Sequence, residues 1–258
     1  METLPTQTRP PSPTLKGGIL VSAIVLLGGF LMLVMIPVST GSHPALARTE
    51  CRHKLGILAL AMHNYQETYG AFPPAYLADK DGKPMHSWRV LLLPFLGHLD
   101  LYEQYRFDEP WNGPNNRRLA AHMPAEFHCP ADVGAENHTS YFVVVGPDTV
   151  FPGVVPIRKA EITDGPVNTI LLVEAMDRQV NWLEPKDVTY EEGRRGINPS
   201  AERGISSHHD GGAMVAFADG SRELLPDRIP LEQLRLLLER NDGRPAYMHR
   251  PPAASTTR

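Results

Sequence analysis

The chain has 258 residues, of which 42% are hydrophobic, so it is long enough for one globular domain with appendages. Its formal net charge of −4 gives no reason to expect a nucleic-acid partner. The 25 prolines and 21 glycines are spread between apolar runs, and this pattern predicts many turns in a folded domain.

An uncharged apolar stretch occupies residues 17–40 and predicts one transmembrane helix. A helix needs about 20 apolar residues to cross the hydrocarbon core of a bilayer. The proline-rich segment before it, residues 1–16, is expected to be a disordered tail. A cleaved signal peptide is the alternative, because Ala45-Leu46-Ala47 resembles a small-residue cleavage site. The apolar stretch is longer than the core of about 7–15 residues in a signal peptide, which favours the anchor.

The sidedness of this anchor is only weakly determined by charge, because basic residues flank it on both sides. They are Arg9, Lys16, Arg48, Arg52 and Lys54. The short proline-rich tail favours a cytoplasmic N-terminus. The two cysteines, Cys51 and Cys129, can form a disulfide in an oxidising compartment or remain as buried free thiols. Their spacing alone leaves both states open.

An amphipathic helix is predicted after the anchor, because apolar residues recur there at intervals of three and four. They are Leu55, Leu58, Met62, Tyr65 and Tyr69. Gly70 is expected to end this helix, since the following Phe72-Pro73-Pro74 requires an extended chain. The apolar segment from Trp88 to Leu101 is interrupted by a proline and a glycine, and it predicts two short helices that meet at a bend.

The second half of the chain has the composition of β-strands. Strands are predicted at Ser140–Gly146 and Asn168–Ala175, which are rich in β-branched residues. Two further extended runs, Gly212–Ala218 and Ser221–Leu225, are separated by Asp-Gly, which predicts a hairpin with a two-residue turn. A helix is predicted over Pro230–Arg240. The expected fold is therefore α+β, with the amphipathic helix packed on an antiparallel sheet.

Several blocks of this sequence resemble, in order, the bacterial pilin-like family called domain of unknown function 1559. The blocks are Arg48–Pro74, Ser87–Arg117, Phe127–Asp132, Thr139–Gly153, Ile162–Glu174, Val180–Val188 and His208–Leu225. The resemblance implies a pilin-like globular domain, expected over residues 48–243, followed by a disordered tail over residues 244–258. The cysteine pair of the family matches Cys51 and Cys129, which implies a disulfide between them.

The N-terminal segment departs from the family pattern. Members usually carry a prepilin leader with Gly-Phe-Thr-Leu before a glutamate, whereas Lys16-Gly17-Gly18-Ile19-Leu20 has no Phe-Thr, and no glutamate follows in the apolar stretch. We therefore expect a plain membrane anchor rather than a processed filament subunit.

The last block contains a histidine, nine residues and then Asp-Gly, as the C-terminal motif of the family does: His209, Asp219 and Gly220. Histidine and carboxylate side chains are metal ligands, but the sequence has no HxxxH or HExxH spacing. The simpler hypothesis is that Asp219-Gly220 forms the turn and that His209 hydrogen-bonds nearby backbone. We predict no metal and no other cofactor, and the role of the motif stays unknown.

Nucleophilic catalysis needs a nucleophile, a positioned base and an orienting acid, and the sequence contains no Gly-x-Ser-x-Gly elbow. The first hypothesis is therefore a non-enzymatic, membrane-anchored pilin-like protein with a structural or interaction role. It would cross the bacterial inner (cytoplasmic) membrane once through residues 17–40 and meet protein partners in the envelope with its extracytoplasmic domain. A minor pseudopilin of a secretion or pilus-type assembly is one alternative. An envelope metal-binding protein or hydrolase that uses His209 and Asp219 is the other.

Overall fold

The computed structural model describes residues 44–134, 136–199 and 204–244. The chain divides after Gly41 into two units, and every described residue belongs to the second, Ser42–Arg258. Among the described helices, none is both long and apolar enough to cross a membrane. The anchor predicted at residues 17–40 and the tail at 1–16 lie outside the described residues, as does all but Arg244 of the tail at 244–258, so these stay predictions.

A 26-residue helix, α1 (Pro44–Tyr69), opens the described fold. The predicted apolar stripe is confirmed over Leu55, Leu58 and Met62, whose side chains are fully buried. The prediction is wrong for the last residue of the stripe, Tyr69, which is 64% exposed. Its ring packs against those of Tyr65 and Phe95. The helix ends where expected, since the next residue is a glycine with a φ of 81°.

The middle of the chain forms a small hairpin followed by short helices. The elements are β1 (Tyr76–Ala78), β2 (Pro84–Ser87), α2 (Trp88–Leu92), α3 (Leu99–Gln104) and α4 (Asn116–Leu119). The predicted bend between two short helices is confirmed, and a 3-10 turn at Leu93–Leu96 lies between α2 and α3. Gly97 closes this turn with a φ of 84°, a conformation that glycine adopts without a steric penalty.

A four-stranded antiparallel sheet forms the centre of the domain in the order β3-β5-β7-β8. Its strands are β3 (Tyr141–Phe142), β5 (Ile170–Glu174), β7 (Gly212–Phe217) and β8 (Arg222–Pro226). This sheet, with the helices around it, confirms the α+β class.

The prediction of a single strand at Ser140–Gly146 is wrong, because this segment divides into two strands after β3. Its second part, β4 (Val144–Val145), pairs in parallel with β6 (Val188–Thr189) outside the main sheet. Between the two parts, the backbone N–H of Val143 donates to the side chain of Asp187 at 3.1 Å. A side-chain acceptor thus takes the place of a strand partner at this residue.

Both faces of the main sheet are covered. Helix α1 packs against β5, β7 and β8 on one face. Alternate residues of β7 point to opposite faces, so Met214 and Ala216 join the core under α1, while Ala213 and Val215 join a second core. That second core includes the buried leucines of α6 (Leu231–Leu238), which follows the short helix α5 (Tyr190–Gly193) along the chain.

A buried ion pair joins α2 to the segment before β6. Arg89 Nη2 lies 2.8 Å from Asp187 Oδ1, with side-chain exposures of 0% and 2%. The same oxygen accepts from Trp88 Nε1 at 3.1 Å and from the Val143 N–H. Burial lowers the pKa of Arg89 from its usual value, and the charge of Asp187 opposes this effect.

Candidate functional site

The Asp-Gly of the C-terminal motif forms the β7–β8 turn, but with a longer loop than predicted. The N–H of Phe217 donates to the Ser221 carbonyl at 2.8 Å, and the N–H of Gly220 donates to the Phe217 carbonyl at 2.9 Å. The loop therefore comprises residues 218–220, and within it only Gly220 has a positive φ, of 88°. The prediction of a two-residue turn is wrong, because three residues separate Phe217 from Ser221 and Asp219 lacks the positive φ that a type I′ Asp-Gly turn needs.

The side chain of Asp219 stabilises this turn. Its Oδ1 accepts from the backbone N–H of Ser221 at 2.9 Å and from the Ser221 hydroxyl at 2.6 Å, and the residue is exposed. His209 lies before the first residue of β7, whereas Asp219 follows its last residue. The six residues of this strand, at about 3.3 Å each, span roughly 20 Å between them. The structure therefore does not bring His209 and Asp219 together, and the two do not share one site.

Cys51 and Cys129 form a disulfide, which confirms the bridge implied by the family resemblance. Their Cα atoms are 5.2 Å apart, and both residues are fully buried. Cys51 lies on the buried face of α1, and Cys129 follows the 3-10 turn Ala125–Phe127. The bond therefore ties α1 to a segment 78 residues further along the chain.

Hydrogen bonds from the neighbouring strand hold both cysteines in place. The N–H of Cys129 donates to Ser140 Oγ at 2.9 Å, and that hydroxyl donates to Asp132 Oδ2 at 2.8 Å. The Tyr141 hydroxyl donates to the carbonyl of Cys51 at 3.3 Å. Burial raises the pKa of Tyr141 well above its usual value, and the charge of Glu174 on the paired strand adds to the shift.

His209 faces the disulfide and a buried carboxylate. Its Nε2 lies 3.6 Å from Cys129 Sγ and 3.5 Å from Glu174 Oε1. The side chains of His209 and Glu174 are 2% and 0% exposed. The prediction that the ring hydrogen-bonds nearby backbone is therefore wrong for Nε2, because the fold places this nitrogen against side chains from distant segments.

Glu174 holds its carboxylate in place through one oxygen only. Oε2 accepts from the backbone N–H of Met214 at 2.8 Å, whereas Oε1 has no hydrogen-bond partner among the described residues. A buried carboxylate oxygen without a partner is costly, since it has lost its water without regaining a hydrogen bond. A positive charge placed beside Oε1 would offset that cost.

The segment around His209 is fixed by contacts on both of its sides. His208 Nδ1 lies 2.9 Å from the Ala131 carbonyl, and His208 Nε2 lies 2.7 Å from Asp177 Oδ2. The hydrogen bond to the Ala131 carbonyl raises the pKa of His208 above its usual value. The hydrogen bond to Asp177 adds to this shift, and burial opposes it. On the other side, Arg48 Nη2 of α1 donates to the Asp210 carbonyl at 2.8 Å.

The candidate site therefore comprises Cys51, Cys129, Glu174 and His209, whose sulfur, oxygen and nitrogen atoms all lie within 4.8 Å of one another. These donor types are the ones that zinc prefers, although the two sulfurs are bonded to each other here. Sequence reasoning missed Glu174. The available signal was a glutamate at the end of a strand that is otherwise fully apolar, since an acidic residue is rarely buried without a partner.

The model of a family described as "Protein of unknown function (DUF1559)" matches residues 47–151 and 181–232 of the chain. The matched ranges contain Cys51, Cys129 and His209, whereas Glu174 falls between them. No curated protein and no solved structure matches the chain.

Proposed function

The chain belongs to the DUF1559 family of proteins of unknown function, and we propose that it is a non-enzymatic, membrane-anchored envelope protein with a structural or interaction role. In this proposal, residues 17–40 cross the inner membrane of a bacterium once. The described domain lies on the extracytoplasmic side and has a pilin-like arrangement of helix and sheet.

The buried disulfide is the observation that carries this proposal. The sequence contains two cysteines, and both are in the bond. Disulfides persist in oxidising compartments and are rare where thioredoxin and glutathione keep thiols reduced. A structural bond between the first helix and the rest of the domain is therefore expected of a domain that folds outside the cytoplasm.

The side chains near the motif make structural contacts. Cys51 and Cys129 are bonded to each other, and the ring of His208 contacts Asp177 and a backbone carbonyl. These contacts are consistent with the structural role that we propose.

A minor pseudopilin remains the alternative, and the packing of α1 on an antiparallel sheet favours it. The missing leader residues between Lys16 and Leu20 argue against it. The mature N-terminus separates the two hypotheses. An N-terminus newly created near Gly18 supports the pseudopilin, whereas an uncleaved Met1 supports the plain anchor.

Protease accessibility in intact spheroplasts tests the proposal. The full chain is produced in a Gram-negative host with an antibody epitope at the C-terminus. We expect the protein to stay with membranes after an alkaline wash and to lose the epitope when protease is added outside, while a cytoplasmic marker protein survives. An epitope that is protected until the membrane is lysed would contradict the extracytoplasmic location.

A further inference from the structure

The four side chains of the candidate site are of the types and spacing that bind a metal ion, although a disulfide joins two of them. Zinc binds sulfur at about 2.3 Å and nitrogen or oxygen at about 2.0–2.2 Å, so neighbouring ligands in a tetrahedron lie about 3.3–3.8 Å apart. His209 Nε2 is 3.6 Å from Cys129 Sγ and 3.5 Å from Glu174 Oε1. Two edges of such a tetrahedron are therefore already present.

The Glu174 oxygen Oε1 is a second indication of a cation. The side chain is fully buried, and Oε1 makes no hydrogen bond in the described structure, its near polar neighbour being His209 Nε2 at 3.5 Å. The other oxygen is held by the N–H of Met214. This arrangement is the one expected of a metal-ligating carboxylate, in which one oxygen binds the ion and the other is oriented by a hydrogen bond.

We propose that this protein binds one zinc ion through Cys51, Cys129, His209 and Glu174 when the disulfide is reduced. Reduction by a dithiol or a phosphine supplies two electrons, and the sulfur–sulfur bond becomes two thiols with the uptake of two protons. Zinc then displaces both thiol protons and is held by two thiolates, an imidazole nitrogen and a carboxylate oxygen. Reoxidation removes two electrons, restores the disulfide and releases the ion.

The bound ion would hold α1 in the same place as the disulfide does. Cys51 is on α1, and Cys129 follows a 3-10 turn. Glu174 is the last residue of β5, and His209 precedes β7. An ion with tetrahedral coordination by these four residues would connect α1 to the rest of the domain before the disulfide has formed. The domain therefore has two alternative cross-links, and the redox state of its surroundings selects between them.

Zinc binding to the full chain in its two redox states tests this proposal. The protein is synthesised in a cell-free system with detergent and tris(2-carboxyethyl)phosphine, with and without zinc. Half of each sample is then freed of the phosphine and oxidised with glutathione disulfide. After gel filtration, we expect about one zinc per chain in the reduced sample and none in the oxidised sample. Equal zinc in both samples, or none in the reduced one, would overturn the proposal.

Solubility is a second readout of the same experiment. The reduced chain without zinc lacks both cross-links, so it should be less soluble or less helical than the reduced chain made with zinc. Precipitation of the reduced chain whether or not zinc is present would also count against the proposal.

A matched pair of variants distinguishes the site from surface binding. His209→Gln removes a proposed ligand, and His122→Gln changes an exposed histidine outside the candidate site. We expect His209→Gln to weaken zinc binding to the reduced chain by at least about tenfold and His122→Gln to leave it unchanged. Equal affinities for the two variants would contradict the assignment.

The spectrum of cobalt bound in place of zinc identifies the types of ligand in the wild-type protein. Cobalt bound to the reduced wild-type protein should show the intense visible bands of tetrahedral coordination and a thiolate-to-metal charge-transfer band. Glu174→Gln keeps an acceptor for the Met214 N–H and should shift the visible bands. A weak octahedral spectrum without the thiolate band would overturn the proposal even if the His209 variant does not fold.

Discussion

The guanidinium of Arg89 and the carboxylate of Asp187 lie 2.8 Å apart in the core, with side-chain exposures of 0% and 2%. The pair is surrounded by aromatic rings, since the guanidinium carbon is 4.6 Å from the Trp88 ring centroid and 5.0 Å from that of Phe142. Removing one partner of such a pair leaves an uncompensated charge in a medium that solvates it poorly. The pair is therefore expected to be critical for folding.

We predict that Asp187→Ala lowers the free energy of unfolding by about 3–5 kcal/mol, measured by urea denaturation of the full-length protein in detergent. Glu191→Ala breaks an exposed ion pair with Arg194 and serves as the control, with little expected change. The double variant Arg89→Met with Asp187→Ala should recover part of the loss, because it removes the uncompensated charge. Equal stabilities for Asp187→Ala and Glu191→Ala would contradict this account of the pair.

The buried face of α1 can be tested with two leucines on the same helix. Leu58 is fully buried under the sheet, whereas Leu60 is 61% exposed. We predict that Leu58→Asp abolishes folding, because an unpaired buried charge costs several kcal/mol, on the order of the whole stability of a domain. Leu60→Asp should fold normally, and circular dichroism with limited proteolysis distinguishes the two. A Leu58→Asp protein as resistant to protease as Leu60→Asp would refute the packing described for α1.

The turn between β7 and β8 depends on the backbone conformation of Gly220. Its φ is 88°, and a Cβ atom placed there would meet the His63 ring at ordinary contact distances, Nε2 at 3.8 Å and Cδ2 at 4.0 Å. The cost of a side chain at this position is therefore conformational. We predict that Gly220→Ala lowers the free energy of unfolding by about 1 kcal/mol and that Gly220→Asn lowers it less, because asparagine tolerates a positive φ better. If thermal melts rank the two variants in the opposite order, the assigned turn conformation is wrong.

His86 should reduce the stability of the domain on mild acidification, whereas His208, with its raised pKa, acts in the opposite direction. Burial lowers the pKa of His86 from its usual value of 6.5, and its Nδ1 lies 2.8 Å from the Tyr105 hydroxyl. The unfolded chain therefore takes up a proton at this residue at a higher pH than the folded chain does. As the pH falls through about 6.5, the unfolded state gains relative to the folded state, by at most about 1.4 kcal/mol per pH unit for one proton.

We predict that His86→Gln loses less unfolding free energy than the wild type between pH 7.5 and pH 5, as measured by denaturation at each pH. His63, with a pKa lowered mainly by burial, and His208, with a raised pKa, contribute equally in both proteins, so the difference between the two slopes reports on His86. An unchanged slope in His86→Gln would show that His86 does not contribute to it.

Local patterns in the sequence predicted the regular elements well. The spacing of Leu55, Leu58 and Met62 indicated the buried face of α1, because a helix repeats every 3.6 residues whatever surrounds it. The Asp-Gly at the hairpin indicated the turn between β7 and β8. The predicted length of this loop was wrong, because Asp-Gly also fits a three-residue loop in which only the glycine takes a positive φ.

The features that were missed depend on contacts between distant segments. The strand at Ser140–Gly146 divides because Asp187 accepts from the Val143 N–H, and no local pattern indicates that contact. The candidate site combines four residues from separate elements, with Cys51 and His209 on segments that only the folded chain brings together. Sequence indicated its cysteines through a family resemblance and its histidine through a motif, but not their proximity to Glu174.

The redox state of Cys51 and Cys129 in the cell tests whether the domain folds in an oxidising compartment outside the cytoplasm. Cells that produce the full chain are quenched in acid, free thiols are alkylated, and the protein is digested and analysed by mass spectrometry without reduction. We expect most of the protein to yield one pair of peptides joined through Cys51 and Cys129. Recovery of both cysteines in alkylated form from the same cells would contradict it.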